Sequence, residues 1–401
     1  MSRRVFLHVG LPKSGTTYLQ AMLKENKQRL MDSANLLFPG SKWYDQVVAV
    51  RDVRGMQVPL SRRAETEGGW QRLVEEMASW DGNSVMSMEW LCAAKPEQVR
   101  RIVDDLHPAR VEVVFTVRDL GRTLPAAWQE FMQNRGEWSW GEFLEGVAAD
   151  DSRSTPAGGR FWSQQDIVKL MGNWAEVVPA AQIHVVTLPH PGAAPDVLWL
   201  RMCQVLGIDG SGYSVESADS NVSLGLESAE LMRRLNPLAR EAGMRKSLYH
   251  QVFKHGLAKR VLARRSSDQS RLSLPEEYRT WALDKAAQQV QAIEAAQVNV
   301  VGDLQDLQPV LTSTHTLQPE DVPDDVLLEA TLAGLVIMGR QWDRARNQAA
   351  ELAQENQRLQ ERLKRSQRRA EGLQERIAQV ESHPVRTAVG AGVRRVRRRK
   401  S

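Results

Sequence analysis

The segment HVGLPKSGTTYLQ, residues 8–20, combines two glycines, one lysine and three small hydroxyl side chains. Gly10 and Gly15 have the spacing of the phosphate-binding loop G-x-x-x-x-G-K-[ST], in which a lysine follows the second glycine. Thr16 occupies that position here, and the lysine of the loop is Lys13, inside the turn. The pattern therefore predicts a phosphate-binding loop whose lysine addresses a different oxygen than it does in nucleotide triphosphatases.

The residues that follow this loop predict an anion site at a helix start. A helix is predicted over residues 16–30, and the backbone N–H groups at such a start bind anions with the help of the helix dipole. Lys13 lies in the cradle itself, where a cation neutralises the bridging oxygen of a leaving phosphate. Three hydroxyl groups add further donors, those of Ser14, Thr16 and Thr17. This arrangement suits transfer of a group away from a terminal nucleotide phosphate without an obligatory metal.

Two charged residues directly follow later runs that are typical of strands. Arg118 follows VEVVFTV at residues 111–117, and Glu89 follows SVMSM at residues 84–88. Both positions would lie at the carboxyl ends of parallel strands, where a ligand would bind. The alternatives are an ion pair between Arg118 and Asp119, and a structural or helix-start role for Glu89.

Histidine and cysteine residues give no sign of a metal site. His8 lies in the first predicted strand, where a hydrogen-bonded core histidine is the favoured interpretation. His107 precedes a proline in a predicted turn, and His184 lies in a predicted strand without a cluster of ligands around it. No His/Cys/Asp set has the spacing of metal ligands, so we predict no metal.

Strand-like and helix-like segments alternate through the first half of the chain. Short apolar runs occupy residues 4–9, 84–88, 111–117 and 183–187, and a helix is predicted over residues 164–177. Such alternation predicts an α/β protein, a three-layer structure in which helices flank a parallel sheet. Ligands of such sheets gather at the carboxyl ends of the strands.

The composition is that of an ordinary globular protein. The chain has 401 residues, of which 42% are apolar and 25% are charged. No apolar run is long enough to span a membrane, and the basic start lacks the apolar stretch and cleavage site of a signal peptide. Cys92 and Cys203 are the only cysteines, which favours a reducing compartment and a cytoplasmic location.

Basic residues are concentrated in two segments. Residues 231–265 contain ten Lys/Arg and a single acid, Glu241, and residues 386–401 contain seven Lys/Arg and no acid. Such clusters indicate anionic partners or solvated faces. We expect an anionic membrane surface as a partner of the terminal segment, peripheral to the inner membrane face, and no specific nucleic acid.

A second architecture is predicted after the α/β part. The predicted division is a domain over residues 1–308, a linker over 309–326, a coiled-coil helix over 327–383 and a basic disordered tail over 384–401. A lone asparagine at a with leucines at neighbouring d positions favours a parallel two-stranded coil, here a homodimer through residues 335–380. The alternative is a long surface helix that folds back on the domain. The a positions are Leu335, Trp342, Ala349, Asn356, Leu363, Ala370 and Ile377, and the d positions are Met338, Ala345, Leu352, Leu359, Ser366, Leu373 and Val380.

The loop PKSGTT resembles the 5′-phosphosulfate loop of sulfotransferases, which take their sulfuryl group from 3′-phosphoadenylyl sulfate (PAPS). This resemblance covers roughly residues 1–308 and implies that Pro12, Lys13, Ser14, Gly15, Thr16 and Thr17 bind PAPS. The family's second signature is an arginine at a strand end that binds the 3′-phosphate, with a serine eight residues later. Arg118 matches the arginine, but Ala126 occupies the serine position, with Thr123 and Gln129 as candidate replacements.

We therefore expect a PAPS-dependent sulfotransferase of a P-loop-like fold that acts on a hydroxyl of a glycan, lipid or small metabolite. Lys13 would stabilise the leaving phosphate, and Glu89 would accept the proton. The basic segment at residues 231–265 would help to hold the 3′-phosphate of the donor or an anionic acceptor. Two alternatives stay open: a P-loop kinase, and a non-catalytic interaction protein whose coiled coil is the working part.

Overall fold

The computed structural model describes residues 3–214, 224–263, 265, 269–310 and 317–382. The chain consists of two compact units, Met1–Gly334 and Leu335–Ser401. In the described part, no helix is both long and apolar enough to cross a membrane.

The first unit is built on a parallel sheet of six strands within the described residues. The strands are β1 (Arg4–Gly10), β2 (Leu36–Leu37), β3 (Asn83–Ser87), β4 (Arg110–Val117), β5 (Ile183–Thr187) and β6 (Asn299–Val301). Their order is β2-β3-β1-β4-β5-β6, and every neighbouring pair is parallel. The first strand therefore lies in the centre, between β3 and β4, so the carboxyl ends of these three strands share one edge of the sheet.

Helices follow the strands in sequence. They are α1 (Thr16–Glu25), α2 (Lys27–Ala34), α3 (Trp43–Val53), α4 (Leu60–Thr66), α5 (Gly69–Ser79), α6 (Pro96–Leu106), α7 (Leu120–Gln133), α8 (Trp140–Ala148), α9 (Pro156–Gln165), α10 (Ile167–Ala175), α11 (Val197–Leu206), α12 (Leu226–Glu241), α13 (Lys246–Tyr249) and α14 (Arg279–Ala295). A π-helical segment occupies His250–Lys259. Short 3₁₀ helices occupy Glu89–Ala93, Ala180–Gln182, Glu276–Tyr278, Leu304–Leu307 and Pro319–Asp321.

Both faces of the sheet are buried. Successive residues of a strand point to opposite faces. Leu7 accordingly packs in a cluster that includes Trp174 of α10, whereas its neighbour Phe6 packs in a second cluster with Trp199 of α11. Strands that are buried on both faces appear in the sequence as continuous apolar runs, and such runs predicted the main strands of this sheet. The predicted α/β class, with a parallel sheet between two layers of helices, is confirmed.

Two of the predicted helices are wrong in their bounds. The helix predicted over residues 16–30 is two helices that meet at Asn26, whose side-chain Nδ2 donates to the carbonyl of Met22 at 2.9 Å. The helix predicted over residues 164–177 is interrupted at Asp166, which caps α10 by accepting from the backbone N–H of Lys169 at 3.2 Å. Short polar side chains of this kind bind nearby backbone groups and so end or begin helices.

One helix, α15 (Asp324–Ser382), begins in the first unit and runs without interruption through the described part of the second. Near its start Leu327 and Ala330 are buried, as is Val322 just before it. The compact first unit thus extends to Gly334. The predicted linker at 309–326 includes residues 311–316, and these, like the predicted basic tail at 384–401, lie outside the described residues.

Candidate active site

The loop between β1 and α1 is shaped by two glycines. Gly10 has a φ of 124°, and a Cβ there would meet the carbonyl oxygen of Glu89 at 3.1 Å. Gly15 has a φ of 85°, and a Cβ there would overlap the side chain of Leu198. Left-handed backbone conformations favour glycine because it has no Cβ. The spacing of these two residues in the sequence therefore reflects two positions at which backbone and neighbours leave room for nothing larger.

The start of α1 presents backbone N–H groups at the carboxyl edge of the sheet. Gly15 is the N-cap, and no side chain caps the helix there. The first N–H groups of a helix have no intrahelical partner and carry the positive end of the dipole, so they favour an anion. Thr16 is buried and Thr17 is exposed at this helix start.

The remaining loop residues are held from two sides. The hydroxyl of Ser14 donates to the carbonyl of Leu11 and forms a 2.6 Å hydrogen bond with Oγ1 of Thr116 on β4. It is therefore turned toward the sheet. The carbonyl of Pro12 accepts from Nε2 of Gln165 at 2.8 Å.

Lys13 has a left-handed φ of 68°, and its ammonium group pairs with a carboxylate that the sequence reasoning missed. Its Nζ lies 2.7 Å from Oε2 of Glu130, with the two side chains 30% and 41% exposed. Glu130 is on α7, one turn after Ala126, and residues four apart on a helix are neighbours on one face. This spacing was the available signal: a carboxylate stands on the same helix face as position 126, where the sulfotransferase pattern has a serine.

The charge of Glu130 depends on this pairing. Burial acts to raise the pKa of its carboxyl, but Lys13, Lys254 and Lys259 outweigh burial and lower the pKa. The group is therefore ionised at neutral pH, and it holds the ammonium of the loop in the structure.

Arg118 lies where β4 ends and reaches the loop directly. Its Nη1 donates to the backbone carbonyl of Lys13 at 3.2 Å, whereas its Nε is buried without a hydrogen-bond partner. Burial, followed by the nearby charge of Arg122, lowers the pKa of Arg118 to about 10, with Asp119 acting in the opposite direction. A buried donor without a partner is costly, and burial together with the positive charge of Arg122 disfavours the charged form of the Arg118 guanidinium. An anion at this position would relieve both penalties.

The ion pair that Asp119 forms is with Arg122, whereas the alternative considered from the sequence was a pair with Arg118. Asp119 accepts from the backbone N–H of Arg122 at 3.0 Å, as the N-cap of α7, and its carboxylate also pairs with the guanidinium of Arg122. Arg122 is further held by the carbonyl of Pro189 at 3.0 Å. The direct partner of Asp119 is thus Arg122.

Glu89 lies at the end of β3 and begins a 3₁₀ helix beside the loop. Its Oε2 accepts from Nε2 of Gln20 on α1 at 2.8 Å, and Gln20 also donates to the carbonyl of Ser87 at 3.3 Å. Because β3, β1 and β4 are neighbours, Glu89, the loop and Arg118 all lie at one edge of the sheet. The structure therefore brings the candidate residues together, with Glu89 on one side of the loop and Arg118 on the other.

The substitution at position 126 is not explained by its neighbours. The hydroxyl of Thr123 donates to the carbonyl of Arg118 at 3.4 Å, and Gln129 is buried. Whether either takes the part of the serine stays a prediction.

His8 is a core histidine, as predicted. It is fully buried, its Nδ1 lies 2.7 Å from Oγ of Ser87, and its Nε2 lies 3.1 Å from Oγ1 of Thr116. Burial lowers the pKa of His8 to about 3, so the imidazole is neutral near neutral pH. Across the described ranges, no group of three or more His, Cys, Asp and Glu side chains could hold a metal ion.

Fold and site together define an α/β protein whose parallel sheet carries, at its carboxyl edge, a loop with two glycines and an internal lysine. Comparison with models of protein families finds no match, and comparison with curated proteins finds none. Among solved structures, the chain is similar to one titled as the crystal structure of a sulfotransferase from Alicyclobacillus acidocaldarius. The two are 15% identical with a TM-score of 0.37, and the match covers 62% of this chain and 100% of that chain. A likeness this distant carries no argument about activity.

Proposed function

We propose that this protein is a sulfotransferase that uses PAPS as the donor and a hydroxyl group as the acceptor. The observation that carries the proposal is the convergence of two elements that are suited to bind anions. The uncapped start of α1 lies after the loop that contains Lys13, and the guanidinium of Arg118, with its unpartnered Nε, donates to that same loop. PAPS carries two separated anionic groups, the phosphosulfate and the 3′-phosphate, and such a ligand fits two such elements.

The residues present fit this donor. The backbone at Gly15, Thr16 and Thr17 would hold the phosphosulfate, since a helix start offers several N–H donors to one anionic group. Arg118 would hold the 3′-phosphate, because a guanidinium binds phosphate oxygens in a bidentate manner. A Cβ at position 15 would overlap the side chain of Leu198, so the packing of the loop against α11 depends on glycine.

The donor supplies the reacting group: the bond from sulfur to the bridging phosphate oxygen breaks, and a bond from sulfur to the acceptor oxygen forms. Lys13 would neutralise the negative charge that develops on the leaving phosphate, an electrostatic stabilisation that is present mainly in the transition state. Before it can do so, its ammonium group must leave Glu130, which lies 2.7 Å away.

Glu89 is the proposed base for the acceptor hydroxyl. One of its carboxylate oxygens is oriented by Gln20, so the group is fixed beside the loop. Glu130 is a second carboxylate at the site, in direct contact with Lys13. A base must lie within hydrogen-bond reach of the proton that it accepts, and Glu89 is proposed because Gln20 holds it beside the loop, whereas Glu130 pairs with Lys13 until that lysine turns to the donor.

Of the two alternatives, one has an observation in its favour. Ala126 and the exposed apolar positions of α15 favour a non-catalytic protein that works through its coiled coil. For a P-loop kinase, Thr16 in place of the lysine remains the contrary feature. A cytoplasmic location is part of the proposal, supported by Cys92 and Cys203, which are both unpaired and buried.

We expect 3′,5′-phosphoadenosine, the desulfonated donor, to bind the wild type in calorimetric titration, and Arg118→Met to weaken its binding by about 10- to 100-fold. This range corresponds to the loss of hydrogen bonds to a charged group, about 1.5–3 kcal/mol. Arg101→Met removes an exposed arginine of α6 and is the matched control, with unchanged affinity expected. Preference for Mg·ATP would instead support a kinase, and retention of neither nucleotide would support the non-catalytic alternative.

A further inference from the structure

A lysine-rich segment packs against the end of α7, next to the loop lysine. The π-helical segment His250–Lys259 contacts this helix, and Nζ of Lys254 donates to Oδ1 of Asn134 at 2.6 Å. The side chain of Asn134 in turn donates to the carbonyl of Glu130 at 2.8 Å. Since Glu130 holds Lys13, the two lysines flank a single turn of helix.

Lys254 and Lys259 form a positive surface beside this turn of α7. The hydrogen bonds of a π-helix join residues five apart, so Lys254 and Lys259 lie on one face of the segment. Burial lowers the pKa of Lys254, and the charges of Lys259, Lys13 and Lys246 lower it further, with Glu130 opposing them. The cations here are therefore only partly balanced by the carboxylate, and a further anion would be stabilised.

The location of this surface distinguishes it from the proposed site for the 3′-phosphate. Arg118 contacts the backbone carbonyl of Lys13, on the side of β4. Lys254 is instead tied to the last turn of α7, where the ammonium end of the Lys13 side chain is held. In an in-line transfer the acceptor oxygen approaches sulfur from the side opposite the leaving phosphate, so the acceptor needs a binding site separate from those of both donor phosphates.

We infer that Lys254 and Lys259 bind an anionic group of the acceptor, a carboxylate, phosphate or sulfate on the molecule whose hydroxyl receives the sulfuryl group. The inference rests on the proposed function, because it assigns the acceptor side of that reaction. It narrows the acceptors to anionic molecules that carry a hydroxyl and makes neutral alcohols poor substrates.

The test uses pyranine, a hydroxyl-bearing trisulfonate, as a fluorescent probe with protein saturated by 3′,5′-phosphoadenosine. The variant Lys254→Gln/Lys259→Gln is compared with Lys24→Gln/Lys285→Gln, which makes the same change in charge elsewhere on the chain. We expect the first pair to weaken pyranine binding by about 10-fold or more, since each lysine contributes a charge-assisted contact. We expect the control pair to change it by less than about twofold, and both pairs to leave the affinity for 3′,5′-phosphoadenosine unchanged.

Lys259 is exposed, so the single variant Lys259→Gln keeps the test valid where Lys254→Gln impairs folding. Equal pyranine binding by wild type and variants, or no binding by the wild type, overturns the inference. A tenfold loss of affinity for 3′,5′-phosphoadenosine also overturns it, because the lysines would then belong to the donor. Transfer from labelled PAPS is measured separately: a protein that binds pyranine through these lysines but transfers nothing keeps the anion site and refutes the proposed function.

Independently of this anion site, α15 exposes an apolar face. The helix is continuous over the predicted heptads, and the leucines and isoleucine at its a and d positions are more than half exposed in the single chain. They are Leu335 at 58%, Leu352 at 53%, Leu359 at 51%, Leu363 at 59%, Leu373 at 57% and Ile377 at 57%. Seven-residue spacing keeps such side chains on one seam when helices supercoil.

We propose that a second copy of this chain covers the seam in a parallel arrangement. Asn356 at an a position favours pairing with the same residue of a partner helix in register. Arg362 and Arg369 occupy g positions, which in a parallel pair face the e positions of the partner, here Gln367 and Gln374. In an antiparallel pair that overlaps over residues 335–380, Asn356 would instead face Leu359 of the partner helix, which offers its amide no hydrogen bond.

Light scattering of the full chain should give twice the 45.1 kDa mass of one chain. Leu352→Arg/Leu359→Arg places charges in the seam, and we expect a monomer at the same concentration. Gln354→Arg/Glu361→Arg changes two f positions and should remain dimeric. A disulfide-linked dimer of Leu373→Cys under mild oxidation supports the parallel arrangement, since identical residues then come within disulfide reach. A wild-type monomer, or a dimer that Leu352→Arg/Leu359→Arg leaves intact, overturns the proposal.

Discussion

Replacing Lys13 with alanine is expected to lower the rate of sulfuryl transfer by about 10²- to 10³-fold, the usual cost of losing one electrostatic contact to a developing charge. The ammonium group stands in the loop itself, on a backbone that Arg118 fixes through the Lys13 carbonyl at 3.2 Å. The measurement is transfer of label from PAPS to a panel of hydroxyl acceptors that includes anionic ones. The effect should fall mainly on kcat, because the charge on the leaving oxygen is largest in the transition state.

The control for this experiment is Lys24→Ala, which removes an exposed lysine from the last turn of α1, away from the loop that precedes this helix. Binding of 3′,5′-phosphoadenosine by Lys13→Ala is measured in parallel and should weaken far less than transfer does. Transfer by Lys13→Ala within about threefold of the control would contradict the role given to this lysine.

Asp119→Ala is expected to lower the free energy of unfolding by about 3–5 kcal/mol, a range that applies when one partner of a buried ion pair is removed. The Asp119 side chain is fully buried and that of Arg122 is 16% exposed. The substitution leaves Arg122 without its carboxylate and next to Arg118, whose pKa burial and Arg122 already depress. It also removes the N-cap of α7, the helix that carries Glu130.

Urea denaturation of the wild type, Asp119→Ala and Asp119→Asn measures this effect. Asparagine keeps an N-cap acceptor but no charge, so we expect an intermediate loss. The exposed pair of Glu276 and Arg279 gives the comparison, with a change below about 1 kcal/mol for Glu276→Ala. If Asp119→Ala matches Glu276→Ala, the ion pair at the start of α7 contributes little to stability.

The fold class could be predicted from the sequence because the strands are buried on both faces of the sheet and therefore appear as continuous apolar runs. Runs such as VEVVFTV at residues 111–117 fall within strands of the observed sheet, here β4. The helix breaks at Asn26 and Asp166 were missed because they depend on single side chains that bind local backbone groups. Apolar periodicity continues through such breaks, so it does not reveal them.

In the candidate site too, some features could be predicted from the sequence and others could not. The meeting of the loop, Glu89 and Arg118 could be predicted, because the carboxyl ends of neighbouring parallel strands share one edge. The position of Glu130 four residues after Ala126 was a signal for a carboxylate at the site, but its pairing with Lys13 was not predicted, nor was the hydrogen bond between Lys254 and Asn134. Both contacts join residues more than a hundred positions apart, and they depend on how helices pack after the sheet has formed.

The contact between Lys13 and Glu130 makes the carboxylate an intramolecular competitor for the anion loop. Any incoming anion must separate the pair before it contacts the ammonium group. Its apparent affinity is therefore the intrinsic affinity multiplied by the fraction of molecules in which Lys13 and Glu130 are apart. A small ion with a single charge replaces Glu130 as the partner of Lys13 and gains no further contact. A ligand that also engages the helix start and Arg118 gains contacts that Glu130 does not provide. The loop would thus favour ligands that make several contacts at once over simple anions.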